Sequence, residues 1–274
     1  MISDVCIAGG AMTPFNRRKD GSSFRDWARA VVSGALRDAG LEPTDIDALV
    51  VASESDFFTL QLNPASLLAD DCGLHGVAAK RVEGGGASGH VAVQAAVADV
   101  AGGLARRVLV LGLEPSASVL SGRDVGALYA LSFDAWTDGM TGIDSTSLYA
   151  LSAMAFMKRT GALHDDFARI AVRNRAHACR NPNAHLPLTI ALGDVAASPV
   201  VASPYHRLDC SPLSDGAAAV ILAREADLPW LPRKRARFRA TAGATDTVRL
   251  GERRDPGFFD GKRLAAKRAY AMGD

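Results

Sequence analysis

The chain of 274 residues is predicted to be a layered α/β protein, and three observations carry that prediction. Short apolar runs alternate with helical patterns over residues 5–112, the signature of strands covered by helices. A glycine run at residues 84–89 sits between a short strand and a long alanine-rich helix. Residues 114–205 then lose the alternation, which resumes at Gly216.

Val5 to Gly9 is apolar and closes on Gly9-Gly10, a first strand. A helix follows through Ala39, capped by Ser22 or Ser23 and stopped by Gly40. Leu49 to Ala52 reads as a second, buried strand. Asn63-Pro64 opens another helix, with proline in its favoured first turn, ending near Gly73. Lys80 to Glu83 is a short strand, and His90 to Leu104 is a helix apolar on nearly all sides, hence expected buried. Arg107 to Gly112 is a continuous apolar strand of the kind covered on both faces. The middle stretch holds one strong helix, Asp165 to Cys179, among polar loops, the profile of an insertion. Strands are expected at Gly216–Ala223 and Phe238–Ala242, and a last helix at Asp260–Met272. That helix should lead into another strand, so the architecture reads as interrupted.

Composition narrows the function classes. Hydrophobic residues make up 48% and charged residues 22%, ordinary for a globular protein with a substantial core. Net charge is +1, so no global basic field argues for nucleic acid or an acidic membrane surface. The local run Arg233-Lys234-Arg235 to Arg239 reads as a solvated loop and strand edge. Cysteines 6, 72, 179 and 210 are dispersed without zinc-type spacing, which fits reduced thiols and no metal site. No stretch approaches the roughly 18 apolar residues of a membrane span, and the first residues do not read as a signal peptide. The expected location is cytoplasmic.

Gly84-x-Gly86-x-x-Gly89, between strand and helix, matches a dinucleotide-binding fingerprint, with Glu114 near the expected acidic position. Against it, the preceding strand is polar and some eighty residues with their own elements come first. Two readings stand beside it. The glycines merely allow a tight turn with positive φ, or the helix amino terminus offers N–H groups to a thiolate, oxyanion or thioester carbonyl.

Several collinear segments resemble the thiolase superfamily, in particular its sterol-carrier-protein-type and acetyl-CoA acetyltransferase-like branch. Cys6-Ile7-Ala8-Gly9-Gly10-Ala11-Met12-Thr13-Pro14-Phe15 resembles the family's first strand and x-x-R-T-P-F turn. Val82 to Gly89 resembles V-E-A-A-C-A-S-G. Leu148 to Leu151 and Asp166 to His177 resemble the helices of its loop region, followed by Asn181-Pro182-Asn183-Ala184. Ser198 to Ala202 and Leu208 to Ala219 complete the pattern. The resemblance implies an oligomeric α/β fold of two halves with an inserted loop domain. Residues 1–113 and 206–242 would form the amino-terminal half, 114–205 the loop domain, and 243–274 the start of an incomplete carboxy-terminal half.

Two departures bear on chemistry. The family's nucleophilic cysteine falls on Gly86, which cannot take an acyl group; Cys72 and Cys210 are remote in sequence. The family's H-x-A-F or N-E-A-F loop, G-H-P-x-G motif and second C-x-G cysteine have no counterpart in these residues. The remaining candidates are Gly86, as the vacant nucleophile position, with His90 and Asp215 as catalytic groups. Ser88, Gly89 and Tyr149 are candidate contacts to a coenzyme A thioester, which enters as substrate with no covalently bound cofactor. The packed or solvent-facing reading of His90 is favoured over a catalytic one, Asp215 reads equally as a turn former, and Tyr149 equally as a residue filling a small core.

The expected activity is non-covalent C–C cleavage or formation of retro-aldol type on an acyl-CoA, or acyl transfer completed by a partner chain. Cysteine-less members resembling this chain act as steroid side-chain aldolases. The expected partners are a chain supplying the second half and a small zinc-ribbon/OB-fold protein, in a homo- or hetero-oligomer. The alternative is a catalytically inactive binding or scaffold subunit, or a truncated thiolase.

Overall fold

The computed structural model describes residues 2–17, 20–118, 122–230 and 235–273. β1 (Val5–Met12) runs through Gly9 and Gly10 instead of ending there. Gly9 serves close packing: a Cβ on it would stand 2.7 Å from the nitrogen of Ala39 and 2.9 Å from the oxygen of Ala35, in α1 (Phe24–Ala39). Gly9 therefore marks where a helix lies down on the strand, whereas a Cβ on Gly10 would meet Ala219 and Val220 of the neighbouring strand. Ser23 caps α1, with the Asp26 carboxylate accepting the Ser23 N–H at 2.8 Å, and Gly40 ends it at φ 63°. Trp27, Ala28, Val31, Val32, Ala35 and Leu36 recur at helical spacing as its buried stripe.

β2 (Ala48–Ala52) is buried at every position. A single turn, α2 (Asp56–Thr59), and α3 (Pro64–Asp71), which starts on its proline, lead to β3 (Ala78–Val82). α4 (Ser88–Gly102) precedes β4 (Arg107–Glu114). The next elements are α5 (Gly122–Tyr129), α6 (Ser145–Thr160), α7 (His164–Ala178), α8 (Leu192–Ala197) and a small pair, β5 (Val200–Ala202) and β6 (Tyr205–His206). β7 (Gly216–Arg224) and α9 (Asp260–Gly273) follow.

The five-stranded sheet has the order β1-β7-β4-β2-β3. β2 pairs in parallel with β3 and β4, while β7 is antiparallel to both β4 and β1, giving a mixed sheet. Successive strand residues point to opposite faces. Leu49, Val51, Leu109, Leu111 and Ile221 pack with α1 and α3 on one side. Val50, Val108, Val110 and Leu222 pack with Ala92, Ala96, Val97 and Val100 of α4 on the other. The continuous apolar reading of β4 follows from being covered on both faces.

Several expectations change. β3 is polar because it is the edge strand, where Lys80 reaches Asp99 at 2.6 Å. α4 buries one stripe completely, but Val91, Val93, Gln94 and Ala95 are only half-covered. No strand forms at Phe238–Ala242. Instead Ala236 and Phe238 hydrogen-bond to Ile7 and Val5, and Arg237 bridges Cys6. That pairing is antiparallel, so residues beyond Phe238 run past Val5, the first residue of β1, onto the helical turn Ile2–Asp4, which offers no strand edge. Of the basic run, Arg233 and Lys234 lie outside the described residues. Arg235 is a tie rather than a solvated charge, donating to the Leu228 oxygen at 2.8 Å.

By internal packing the chain forms two compact units. The first comprises Met1–Val119, Ser214–Gly243 and Ala265–Asp274, and contains the whole sheet. The second comprises Leu120–Leu213 and Ala244–Leu264. Among the described residues, no helix is long and apolar enough to cross a membrane.

Candidate functional site

In the first unit, β3 leaves the sheet edge through Glu83 into a tight glycine turn. Gly85 holds a φ of 56°, a conformation that L side chains rarely adopt. Gly84 packs against Val91, whose Cγ2 would lie 2.6 Å from an added Cβ. The Ser88 hydroxyl closes the turn: it accepts the Gly84 N–H at 3.0 Å and donates to the Gly85 oxygen at 2.6 Å. Ser88 is therefore buried within the turn it builds. Gly86 differs from its neighbours. Its φ is not left-handed, and among the described residues an added Cβ meets no heavy atom within 4 Å. The backbone here would accept a side chain, so glycine is required by neither conformation nor packing. Gly89 is equally uncrowded, and His90 is exposed in the first turn of α4.

Asp215, at the entrance to β7, is completely buried. Its carboxylate accepts the Ala117 N–H at 2.7 Å, and its backbone exchanges hydrogen bonds with Asn16. It is a strut joining three chain segments, and that position gives its carboxylate no exposed surface. Glu114, read from sequence only as a possible dinucleotide contact, instead accepts the Glu54 N–H at 2.7 Å. Burial pushes its carboxyl up to about 7. Cys72 is pushed up to about 11, first by burial and then by Asp71, so it is no thiolate at neutral pH.

The second unit holds Tyr149, which is 59% exposed and stacks near Phe259 with ring centroids 6.4 Å apart. It lines a cavity of about 460 Å³ whose wall is aromatic and aliphatic at Tyr149, Phe167 and Ile170, and polar at Asp209, Cys210 and Ser211. A concave, largely apolar space with a few converging polar groups is the usual form of a small-molecule site. Asp209 is held by the His206 N–H at 2.8 Å and by His164 Nε2 at 2.9 Å, and the two imidazoles stack at 4.7 Å. Its other oxygen, Oδ1, is buried without a hydrogen-bond partner among the described residues. The Cys210 thiol is pushed up by burial and by Asp209 and Asp144, so this cysteine is also a poor nucleophile. The His164–Asp209 pair was missed in the sequence because 45 residues separate its members; Asp209 falls in the Leu208–Ala219 segment that carries the family resemblance, which gives no sign of His164.

Thus Gly86, Ser88, Gly89 and His90 share one turn, Asp215 is a strut of the same unit, and Tyr149 belongs to the cavity of the other. A mixed sheet carrying a glycine turn at the end of a parallel strand, with a long segment inserted before the antiparallel β7, defines the class. Residues 5–192 match the family described as Thiolase, N-terminal domain, and the chain belongs to the thiolase family. This replaces the dinucleotide reading of the glycine run.

The chain is similar to an acetyl-CoA acetyltransferase of Methanothermobacter thermautotrophicus, 36% identical over 99% of this chain and 70% of that protein. It is also similar to a steroid side-chain-cleaving aldolase of Thermomonospora curvata, 32% identical over 83% of this chain and 59% of that one. Among solved structures, an Ltp2-ChsH2(DUF35) aldolase aligns with a TM-score of 0.83 and 28% identity, covering 99% of this chain and 70% of that chain.

Proposed function

We propose that this protein acts on acyl-CoA thioesters in lipid or steroid side-chain metabolism, making or breaking a C–C bond without an acyl-enzyme. The observation that carries this reading is Gly86. The turn has room for a side chain at the position where the family resemblance puts its nucleophile, and the chain has none there.

In a retro-aldol step on a 3-hydroxyacyl-CoA, a base takes the hydroxyl proton and the bond between C2 and C3 breaks. Its electron pair moves into the thioester as an enolate, and protonation at C2 releases a carbonyl compound and a shortened acyl-CoA. That route needs an acid/base pair and an oxyanion site but no thiolate. The N–H groups at the start of α4 suit the thioester oxygen, His90 and Glu83 are exposed titratable groups of that turn, with Glu83 accepting the Gly85 N–H, and Gly89 leaves its surface open. Ser88 acts by shaping the turn, and Asp215 by holding the entrance of β7. Tyr149 is a candidate thioester contact, and the cavity that it lines within the second unit has the form of a small-molecule site. The thioester is substrate, with no cofactor bound covalently.

The aldolase relatives support the C–C reaction, and the two-component name of the aligned structure supports a partner. The partner in this reading is a small zinc-ribbon/OB-fold protein in a hetero-oligomer. Acyl transfer completed by such a partner is the neighbouring possibility that the test separates. The protein is isolated from its own source, its native mass measured, and the assembly given 3-hydroxyacyl-CoA substrates. The expected result is a second polypeptide, release of a carbonyl product, and no acyl adduct in the intact mass of this chain. A stable acyl adduct overturns the non-covalent route. Thioester binding without turnover in an assembly of this chain alone makes it a non-catalytic binding subunit.

A further inference from the structure

The segment leaving β2 is tied to the strands on both sides of it. From β3, the Arg81 guanidinium donates to the Ser53 oxygen at 3.4 Å and pairs with Asp56 at 2.6 Å. From β4, the Glu114 carboxyl accepts the Glu54 N–H at 2.7 Å. The other oxygen of Glu114, Oε1, is buried and has no hydrogen-bond partner among the described residues. An ionised glutamate here would therefore hold a charge with one oxygen unsatisfied, a costly arrangement in a water-poor site.

The tethered segment is itself strained. Leu60 has a φ of 54°, the one positive value at a non-glycine among the described residues. Leu60 and its neighbours Phe57 and Leu62 are 73%, 57% and 87% exposed, while Phe58 and Thr59 between them are buried and anchor the turn. The charges facing Glu114 are few. Glu54 comes from the segment and Arg81 from β3. From β7 the residue opposite is Gly216, and its neighbour Asp215 is engaged with the Ala117 N–H.

We infer that Glu114 is a proton-operated latch: its neutral carboxyl holds Ser53–Leu62 against the sheet end, and its ionisation releases that segment. Burial, foremost, and the Glu54 charge push the latched carboxyl from 4.5 up to about 7, against the opposing pull of the Glu54 N–H and Arg81. Once the segment opens and water reaches the carboxyl, it returns toward its ordinary value. Between those two values the closed form holds a proton that the open form has lost, so opening grows as pH rises and levels off above 7. The closed form is fully favoured below 4.5.

The test is native-state hydrogen exchange on the full chain, corrected for the intrinsic pH dependence of exchange. Protection of the Glu54–Leu62 amides is expected to fall by on the order of tenfold per pH unit from about pH 5 to 7 and then stay level. Amides of α1 keep their protection throughout. Glu114→Gln, a permanent mimic of the neutral acid, keeps the segment protected at pH 8. Three results overturn the latch: flat protection of the wild-type segment with pH, equal loss in α1 that marks global unfolding, or an unchanged pH dependence in E114Q.

Discussion

In the sheet unit every residue of β2 is buried, and aliphatic clusters pack on both faces of the strands around it. In the second unit the buried cluster is Ala168, Ile190 and Val195, with Val172, Leu192 and Leu208 partly covered beside them, and Val125, Ala150 and Ala153 are buried apart from it. What holds that unit is of a different kind. Phe156 stacks with Phe167 and Phe258 at 6.2 and 5.6 Å, Arg249 pairs with Asp134 at 2.6 Å, and Arg159 pairs with Asp255. Exposed ion pairs of this sort contribute little each, whereas aliphatic burial stabilises by about 25 cal/mol per Å². The difference teaches where adaptation is cheap. A loosely cored unit keeps a cavity and changes its lining readily; a jigsaw-packed sheet cannot.

That contrast can be broken by substitution. The largest effect is expected at Gly9→Val, which drives a side chain into the Ala35–Ala39 backbone of α1. A loss well above 3 kcal/mol, or failure to fold, is expected from overpacking against backbone that cannot yield. A wild-type urea midpoint for this variant would disprove the close approach. Leu109→Ala, in the centre of β4, is expected to cost about 3 kcal/mol in chemical denaturation. Ile190→Ala should cost roughly 1–2 kcal/mol, because its thin surroundings can collapse. Equal losses at the two sites would show the cores to be alike.

Asp209→Ala removes the acceptor shared by His164 and the His206 N–H and should destabilise by about 1–3 kcal/mol. Its mark should be confined to the second unit, with hydrogen exchange in the sheet unchanged. The smallest effect is expected at Gly86→Cys, within about 0.5 kcal/mol by thermal melting. The new thiol, at a helix start, should react with iodoacetamide below pH 8, ahead of Cys72. A drop of several degrees in Tm would mean that the space around Gly86 is not free.

Most of the sheet unit was legible in the sequence because burial on one or both faces writes itself as period and composition. β2, β4, β7 and α1 with its Ser23 and Gly40 caps follow that rule. The glycines of β1 misled because a close-packing glycine and a turn glycine look the same in one dimension. The expected Phe238–Ala242 strand failed because it lies antiparallel to β1 and runs past that strand's first residue, Val5, onto the helical turn Ile2–Asp4. At the candidate site, the glycine turn and the absence of a thiol at Gly86 could be read directly. The cavity at Tyr149 and the His164–Asp209 pair could not, since their members meet only after α6, α7 and the β5–β6 pair have formed.

By itself, then, the sequence determined the α/β class, the family, and the absence of a thiol at Gly86. Each of these rests on local residue identity or on periodicity along the chain. Only the tertiary structure decided that β3 is an edge, that Asp215 is a buried strut, and that Glu114 carries a carboxyl raised by burial. Edge position, burial and desolvation are properties of neighbours brought from distant parts of the chain, and no residue's own identity contains them.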